Sequence, residues 1–197
     1  MRVERIMHEK LTSQIEIRKR VPNEMRLYVE TIVYSIIIFG VILGYSWVAS
    51  PEMTVRSINR VIADISMVLI GLSLMLSALC YFWDFADKYI IYRKHLGLVG
   101  FGYALIHGVF SLLYSAYLPF ADFYLSDKRI LPFAAAVIAT IIFAIMAVIS
   151  NRFCAQTIGP ARWKNLMGIG FFGYLLALFH FAITGFPYWA KWFAGTT

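Results

Sequence analysis

The chain has 197 residues, of which 60% are hydrophobic and only 15% charged, and its mean hydropathy is +0.70. A water-soluble domain carries about a quarter charged residues, so composition excludes one and points to an integral membrane protein. The net charge of +7 does not imply nucleic acid, because the basic residues flank apolar runs, where they meet anionic lipid headgroups.

Residues 1–30 form a basic segment, expected on the cytoplasmic side. Ile6, Leu11, Ile15 and Ile17 are spaced to lie on the membrane interface as a helix, and a disordered tail is the alternative. Five charge-poor runs follow, at 31–49, 61–83, 96–118, 131–150 and 166–189. Each is long enough to cross a hydrocarbon core of about 30 Å, which takes roughly 20 helical residues. The first run does not read as a cleavable signal, since a long charged stretch precedes it and no small-residue cleavage site follows. The expected fold is therefore all-α: a bundle of five transmembrane helices over residues 31–190, with a short outer tail at 191–197.

Thirteen of the eighteen Lys and Arg residues fall in inner segments if the N-terminus is inside, leaving Arg56, Arg60, Lys128, Arg129 and Lys191 outside. The positive-inside bias then puts the N-terminus in the cytoplasm and the C-terminus on the far side. Asp64, in the second run, is expected to pair with Arg60 at the membrane edge, a proton-handling role being the alternative. Asp84 and Asp87 in the following inner loop are expected to balance Lys88, Arg93 and Lys94. Cys80 and Cys154 lack partners at ligand spacing and suggest neither a disulfide nor zinc. GLVGFG, at 97–102, lies inside a span and is not a nucleotide-binding turn. With no soluble portion large enough for a nicotinamide domain, any electrons must come from another molecule.

Of four histidines, His8 lies in the basic segment, His95 opens the third run, and His107 and His180 fall within the third and fifth runs. Both runs start on the same side. His107 lies about 18 Å beyond His95 along a helix, and His180 about 21 Å beyond Leu166. Two imidazoles at one depth on parallel helices suit the axial positions of a heme iron whose apolar rim is buried in the bundle. Phe101, Tyr103, Phe110, Phe179 and Phe181 lie nearby, and Tyr103 stands one turn before His107 on the same face. The competing reading is that each histidine hydrogen-bonds to a neighbouring helix as packing. Ionisable groups inside a span nevertheless mark function by default, because burying one without a partner is costly.

The stretches YRKHLGLVGFGYALIHG, at 92–108, and ARWKNLMGIGFFGYLLALFH, at 161–180, resemble the ferric reductase-like transmembrane domain superfamily. The first is similar to the third helix of the six-transmembrane metalloreductases of animals. The second is similar to the heme-binding membrane subunit of the bacterial periplasmic methionine-sulfoxide reductase system. The resemblance implies a bacterial inner-membrane protein with one b-type heme held by His107 and His180. It also implies an electron inlet on the inner side, near Arg93 and Lys94, which Arg162 and Trp163 help to form and which takes reduced flavin or quinol. One departure stands out: Met167 occupies the place where the sulfoxide-reductase subunit has a further histidine. A second, inner heme would need His95 and Met167, yet His95 is turned about 120° from His107 around a regular helix.

The function expected is a membrane cytochrome that carries electrons from a cytoplasmic-side donor to an outer-face acceptor, either a periplasmic redox protein, a ferric chelate or another cytochrome. Catalysis then belongs to the chain or to its partner. The alternative is a non-redox anchor or assembly subunit of a larger complex. A transporter is disfavoured, because no inverted repeat or paired broken helices appear.

Overall fold

The computed structural model describes residues 23–49, 54–115, 124–125 and 129–193. The interfacial segment expected around Ile6 to Ile17, together with His8, lies outside the described residues. So do residues 116–118 of the third run and the last four residues of the outer tail.

The described residues build five long helices, all helical because a lipid-embedded backbone must satisfy its own N–H and C=O groups. They are α1 (Glu24–Ala49), α2 (Val55–Phe82), α3 (Arg93–Ser115), α4 (Ile130–Ile149) and, after the short α5 (Arg152–Ile158), α6 (Pro160–Phe193). All five are long and apolar enough to cross a membrane. Between α2 and α3 the chain runs as a 3-10 helix, Asp84–Tyr92.

Several helix ends follow from side-chain chemistry. Thr54 Oγ1 accepts from the Ser57 amide at 3.2 Å and starts α2. Asn151 does the same for α5 through the Cys154 amide at 2.7 Å. Gly159, with φ at 87°, takes a backbone conformation that an L side chain rarely adopts, and Pro160 opens α6 where no amide proton is needed.

The helices start earlier than apolar runs alone suggest. α1 begins at Glu24, so the boundary drawn at residue 30 falls inside it, and Glu24 is held there by an ion pair with Lys94. α2 begins at Val55 rather than Val61, and its polar opening turns carry Asn59, whose amide donates to Ser111 Oγ of α3 at 2.9 Å. Polar residues are kept in these helices by partners on neighbouring helices.

α2 packs on α3 and α4 packs on α6, while the α3–α4 and α2–α6 contacts close the two pairs into a four-membered ring. α3 and α6 therefore stand on a diagonal, and α1 lies outside against α2 and α3. Val61, Ile65 and Leu69 of α2 are buried beneath α1 and α3. Ile70 and Leu74 meet Ala139 and Phe143 of α4 at the centre.

Two glycines permit this packing, each seven residues before an intramembrane histidine. A methyl group on Gly100 would stand 2.9 Å from Ile70 Cγ1 and 3.0 Å from both the Ile70 amide nitrogen and Leu69 Cβ. One on Gly173 would stand 2.8 Å from Ile142 Cγ2. Backbone is among the atoms obstructing position 100, so the side chains alone cannot yield. Gly100→Ala is expected to lower stability by about 1–3 kcal/mol, read by reversible unfolding in detergent. Gly102→Ala, which meets nothing within 4 Å, is expected to leave it unchanged.

Candidate functional site at the diagonal histidines

His107 and His180 project from the diagonal helices α3 and α6, and each is held by the helix beside it. His107 Nδ1 donates to the carbonyl oxygen and to Oδ1 of Asn59, both at 3.1 Å. His180 Nδ1 donates to the carbonyl oxygen of Pro132 at 2.8 Å. A carbonyl oxygen only accepts, so in both rings Nδ1 carries the proton and Nε2 keeps its lone pair. Among the described residues neither Nε2 makes a hydrogen bond.

The anchoring residues also set the depth. Asn59 is the fifth residue of α2 and Pro132 the third of α4. Both helices start at the same end of the bundle, so the two imidazoles are tied to one level there. The rings lie within electrostatic reach of each other. Both rings are thus anchored at the same end of the bundle, each by a backbone carbonyl that the sequence does not single out.

Asn59 is fixed in turn. Its Nδ2 donates to Ser111 Oγ at 2.9 Å, which leaves Oδ1 facing His107. The Ser111 carbonyl accepts from the Tyr124 hydroxyl at 2.9 Å, and the Tyr124 ring stacks at a tilt on Phe133 with centroids 4.8 Å apart. Tyr103 is placed differently from the histidines. Its hydroxyl lies 3.1 Å from Ser35 Oγ of α1, and its ring packs on the cluster around Ile65. The phenylalanines scatter too: Phe101 lines a cavity at the opposite end of the bundle, Phe110 and Phe179 are exposed, and Phe181 lines a groove between α2 and α6.

At the other end all four helices of the ring line a cavity of about 350 Å³. Its polar wall includes Ser73, Arg93, Lys94, Asn151 and Trp163, and Met167 stands among its apolar residues. Trp163 is fixed by an indole N–H bond to the Ile149 carbonyl at 2.9 Å, and the Arg93 carbonyl accepts from Ser73 Oγ at 2.7 Å. Four of the residues predicted from the sequence thus meet in one cavity: Arg93, Lys94, Trp163 and Met167. Arg162 is exposed and does not line it.

His95 does not line it either. It is 3% exposed, donates from Nδ1 to the Ile91 carbonyl at 3.0 Å, and meets the Tyr28 ring of α1 edge-on at 4.4 Å. The structure therefore does not bring His95 and Met167 onto a shared cavity. The charge pairings also differ from expectation. Lys94 pairs with Glu24 rather than with Asp84 or Asp87, because the start of α1 lies against the start of α3. Lys88 lies over the Tyr89 ring at 4.8 Å. The salt bridge expected between Asp64 and Arg60 is not closed, although Arg60 is within electrostatic reach.

Each of the two rings thus keeps an unprotonated imidazole nitrogen, the kind of atom that can donate to a metal. Residues 61–178, more than half of the chain, match the family described as ferric reductase like transmembrane component, and the chain belongs to that family. The match includes His107 and stops two residues before His180. No curated protein matches the chain.

Tyr103 and Ser35 share one hydrogen bond between α1 and α3. Tyr103→Phe and Ser35→Ala are expected each to cost about 1 kcal/mol of stability, and the double variant to cost less than their sum. Additive costs in unfolding measurements would show that the bond contributes nothing.

Proposed function

We propose that this chain is a membrane electron-transfer subunit in which His107 and His180 would hold one b-type heme. The observation that carries the reading is the shared state of the two rings. Each gives its Nδ1 proton to a carbonyl of the neighbouring helix and keeps an Nε2 lone pair free at the same level. Metal-bound histidines are commonly held in this way, because the second bond fixes both tautomer and ring orientation and raises the basicity of the ligating nitrogen. The donor set fits a low-spin heme iron. Such a heme, when bound, supplies reversible one-electron carriage.

The chain's own work in this scheme is positional. Asn59 and Pro132 orient the rings, Gly100 and Gly173 let each histidine helix close on its neighbour, and the apolar bundle excludes water. The inner cavity suits an electron donor, reduced flavin or quinol, with Arg93 and Lys94 at its wall to meet negative charge. The acceptor, a redox protein or a metal chelate, then meets the end at which α2 and α4 begin. With the N-terminus cytoplasmic, that end faces outward from a bacterial inner membrane. Substrate specificity lies with the donor and acceptor.

Purified protein in detergent is expected to show a Soret band that sharpens and shifts on dithionite reduction, with about one heme per chain by pyridine hemochrome. His107→Ala and His180→Ala are each expected to abolish it, because one remaining imidazole does not hold the group in a hydrophobic bundle. Asn59→Leu removes the side-chain acceptor but not the carbonyl, and is expected to lower heme retention by about tenfold or more. A wild-type protein expressed with ample heme that shows no such band would sink the proposal and leave the anchor reading.

A further inference from the structure

His107 and His180 are held in different ways. His180 Nδ1 has one acceptor, the Pro132 carbonyl at 2.8 Å. His107 Nδ1 lies between two, the carbonyl oxygen and the side-chain Oδ1 of Asn59, each at 3.1 Å. A backbone carbonyl stays where its helix puts it. A side-chain amide turns about its own bonds, and a half-turn would set its NH2 group against the imidazole N–H, donor against donor. Something must keep the Asn59 oxygen toward the ring.

Ser111 does so. It stands four residues after His107 on α3, one turn farther along the same face. The Asn59 amide spans these two residues, its Oδ1 accepting from His107 while its Nδ2 donates to Ser111 Oγ at 2.9 Å. The residues beside the serine offer no substitute, since Phe110, Leu112 and Leu113 are apolar and exposed. Ser111 is tied in its turn. Its carbonyl accepts from the Tyr124 hydroxyl at 2.9 Å, and the Tyr124 ring lies on Phe133 with centroids 4.8 Å apart. Phe133 follows Pro132, the residue that holds His180. One tyrosine, between α3 and α4 in the chain, therefore touches the supports of both histidines.

We propose that Ser111 is a positioning residue for His107, acting through the Asn59 amide and steadied by Tyr124, and that it sets how strongly His107 Nε2 donates to a metal. This role takes its purpose from the heme reading, while its mechanism needs only the hydrogen bonds. An acceptor on Nδ1–H draws that proton from the ring and makes the opposite nitrogen the stronger donor. A stronger donor favours ferric over ferrous iron and lowers the potential. Freeing the amide takes one of two acceptors from His107 and none from His180. The two nitrogens are thus unequal: one is fixed by backbone alone, and the other is adjusted through a side chain.

The test uses full-length protein with isotope-labelled histidine in lipid vesicles, kept reduced and read in two ways. Solid-state NMR of the ring nitrogens, assigned by single histidine substitutions, reports the Nδ1–H bond with or without heme. Spectroelectrochemistry reports the midpoint potential of the heme. Ser111→Ala is expected to move the His107 Nδ1 resonance and leave that of His180 in place. The reduced-to-oxidised ratio at the wild-type midpoint should rise by about threefold to tenfold, the worth of one hydrogen bond. Ser111→Thr, which keeps the hydroxyl, should restore both readings, and Tyr124→Phe should shift them in the Ser111→Ala direction by less. In an Asn59→Leu background Ser111→Ala should change neither, because the amide through which the serine acts is gone. A serine that only joins α2 to α3 leaves both readings at wild-type values in Ser111→Ala, and that result would overturn the proposal. So would equal shifts in the two backgrounds. Heme content separates the two readings: a heme-free wild type whose His107 resonance still answers to Ser111 refutes only the electron-carrier reading. Heme with an unmoved resonance and potential refutes only this one.

Discussion

The structure depends on two hydrogen bonds, from imidazole nitrogens of α3 and α6 to backbone carbonyls of α2 and α4. Within lipid a ring N–H has no water to turn to, so each bond is strongly preferred over leaving the donor unpaired. The carbonyls are already engaged by their own helices but retain a second lone pair. Using the backbone as acceptor ties ring position to helix position. His107 and His180 then keep their register only if each helix pair stays closed, which Gly100 and Gly173 allow two turns deeper. Packing and site geometry are in this sense one constraint, repeated in each half of the ring.

The two ends of the ring differ in kind. At the histidine end neutral polar groups are bonded in a chain, from His107 through Asn59 and Ser111 to Tyr124. At the other end stand Arg93 and Lys94, a polar cavity wall, and the ion pair that clasps α1 to α3. α1 belongs to this second end. Glu30 accepts from the Tyr92 hydroxyl at 2.6 Å and from Arg26 at 2.7 Å, and Tyr28 meets His95. These contacts hold the helix that lies outside the ring and N-terminal to the family match, so α1 reads as a brace on the α2–α3 pair.

Much of this was legible in the sequence, for identifiable reasons. A span in lipid must be apolar and about twenty residues long, so the five runs stood out by composition alone. The depth of His107 and His180 followed from a constant rise per residue. What composition could not show was the polar margin of each helix. Glu24 and Asn59 look like loop residues until their partners Lys94 and Ser111 are in place, and those lie about fifty to seventy positions away. Tyr103 shows the same limit. Its i−4 spacing puts it one turn from His107, yet a one-turn offset of 400° and a long side chain allow its hydroxyl to reach Ser35 on α1 instead. The acceptors Asn59 and Pro132 carried no signal, because a backbone carbonyl is common to every residue.

The competing account, in which the histidines only glue helices together, explains half of each ring. One Nδ1 bond to a carbonyl is what interhelical packing asks for, and a glutamine or serine meets that demand at lower cost. Among the described residues it leaves Nε2 in both rings without a donor, on helices that pack mainly on α2 and α4 rather than on each other. A bundle shaped only for cohesion would turn one ring toward the other as donor to acceptor. Keeping both rings in the same tautomer forbids that bond, since two acceptors do not pair. The arrangement is cohesive within each helix pair and receptive between them, and a metal centre is the kind of partner that two such nitrogens can share.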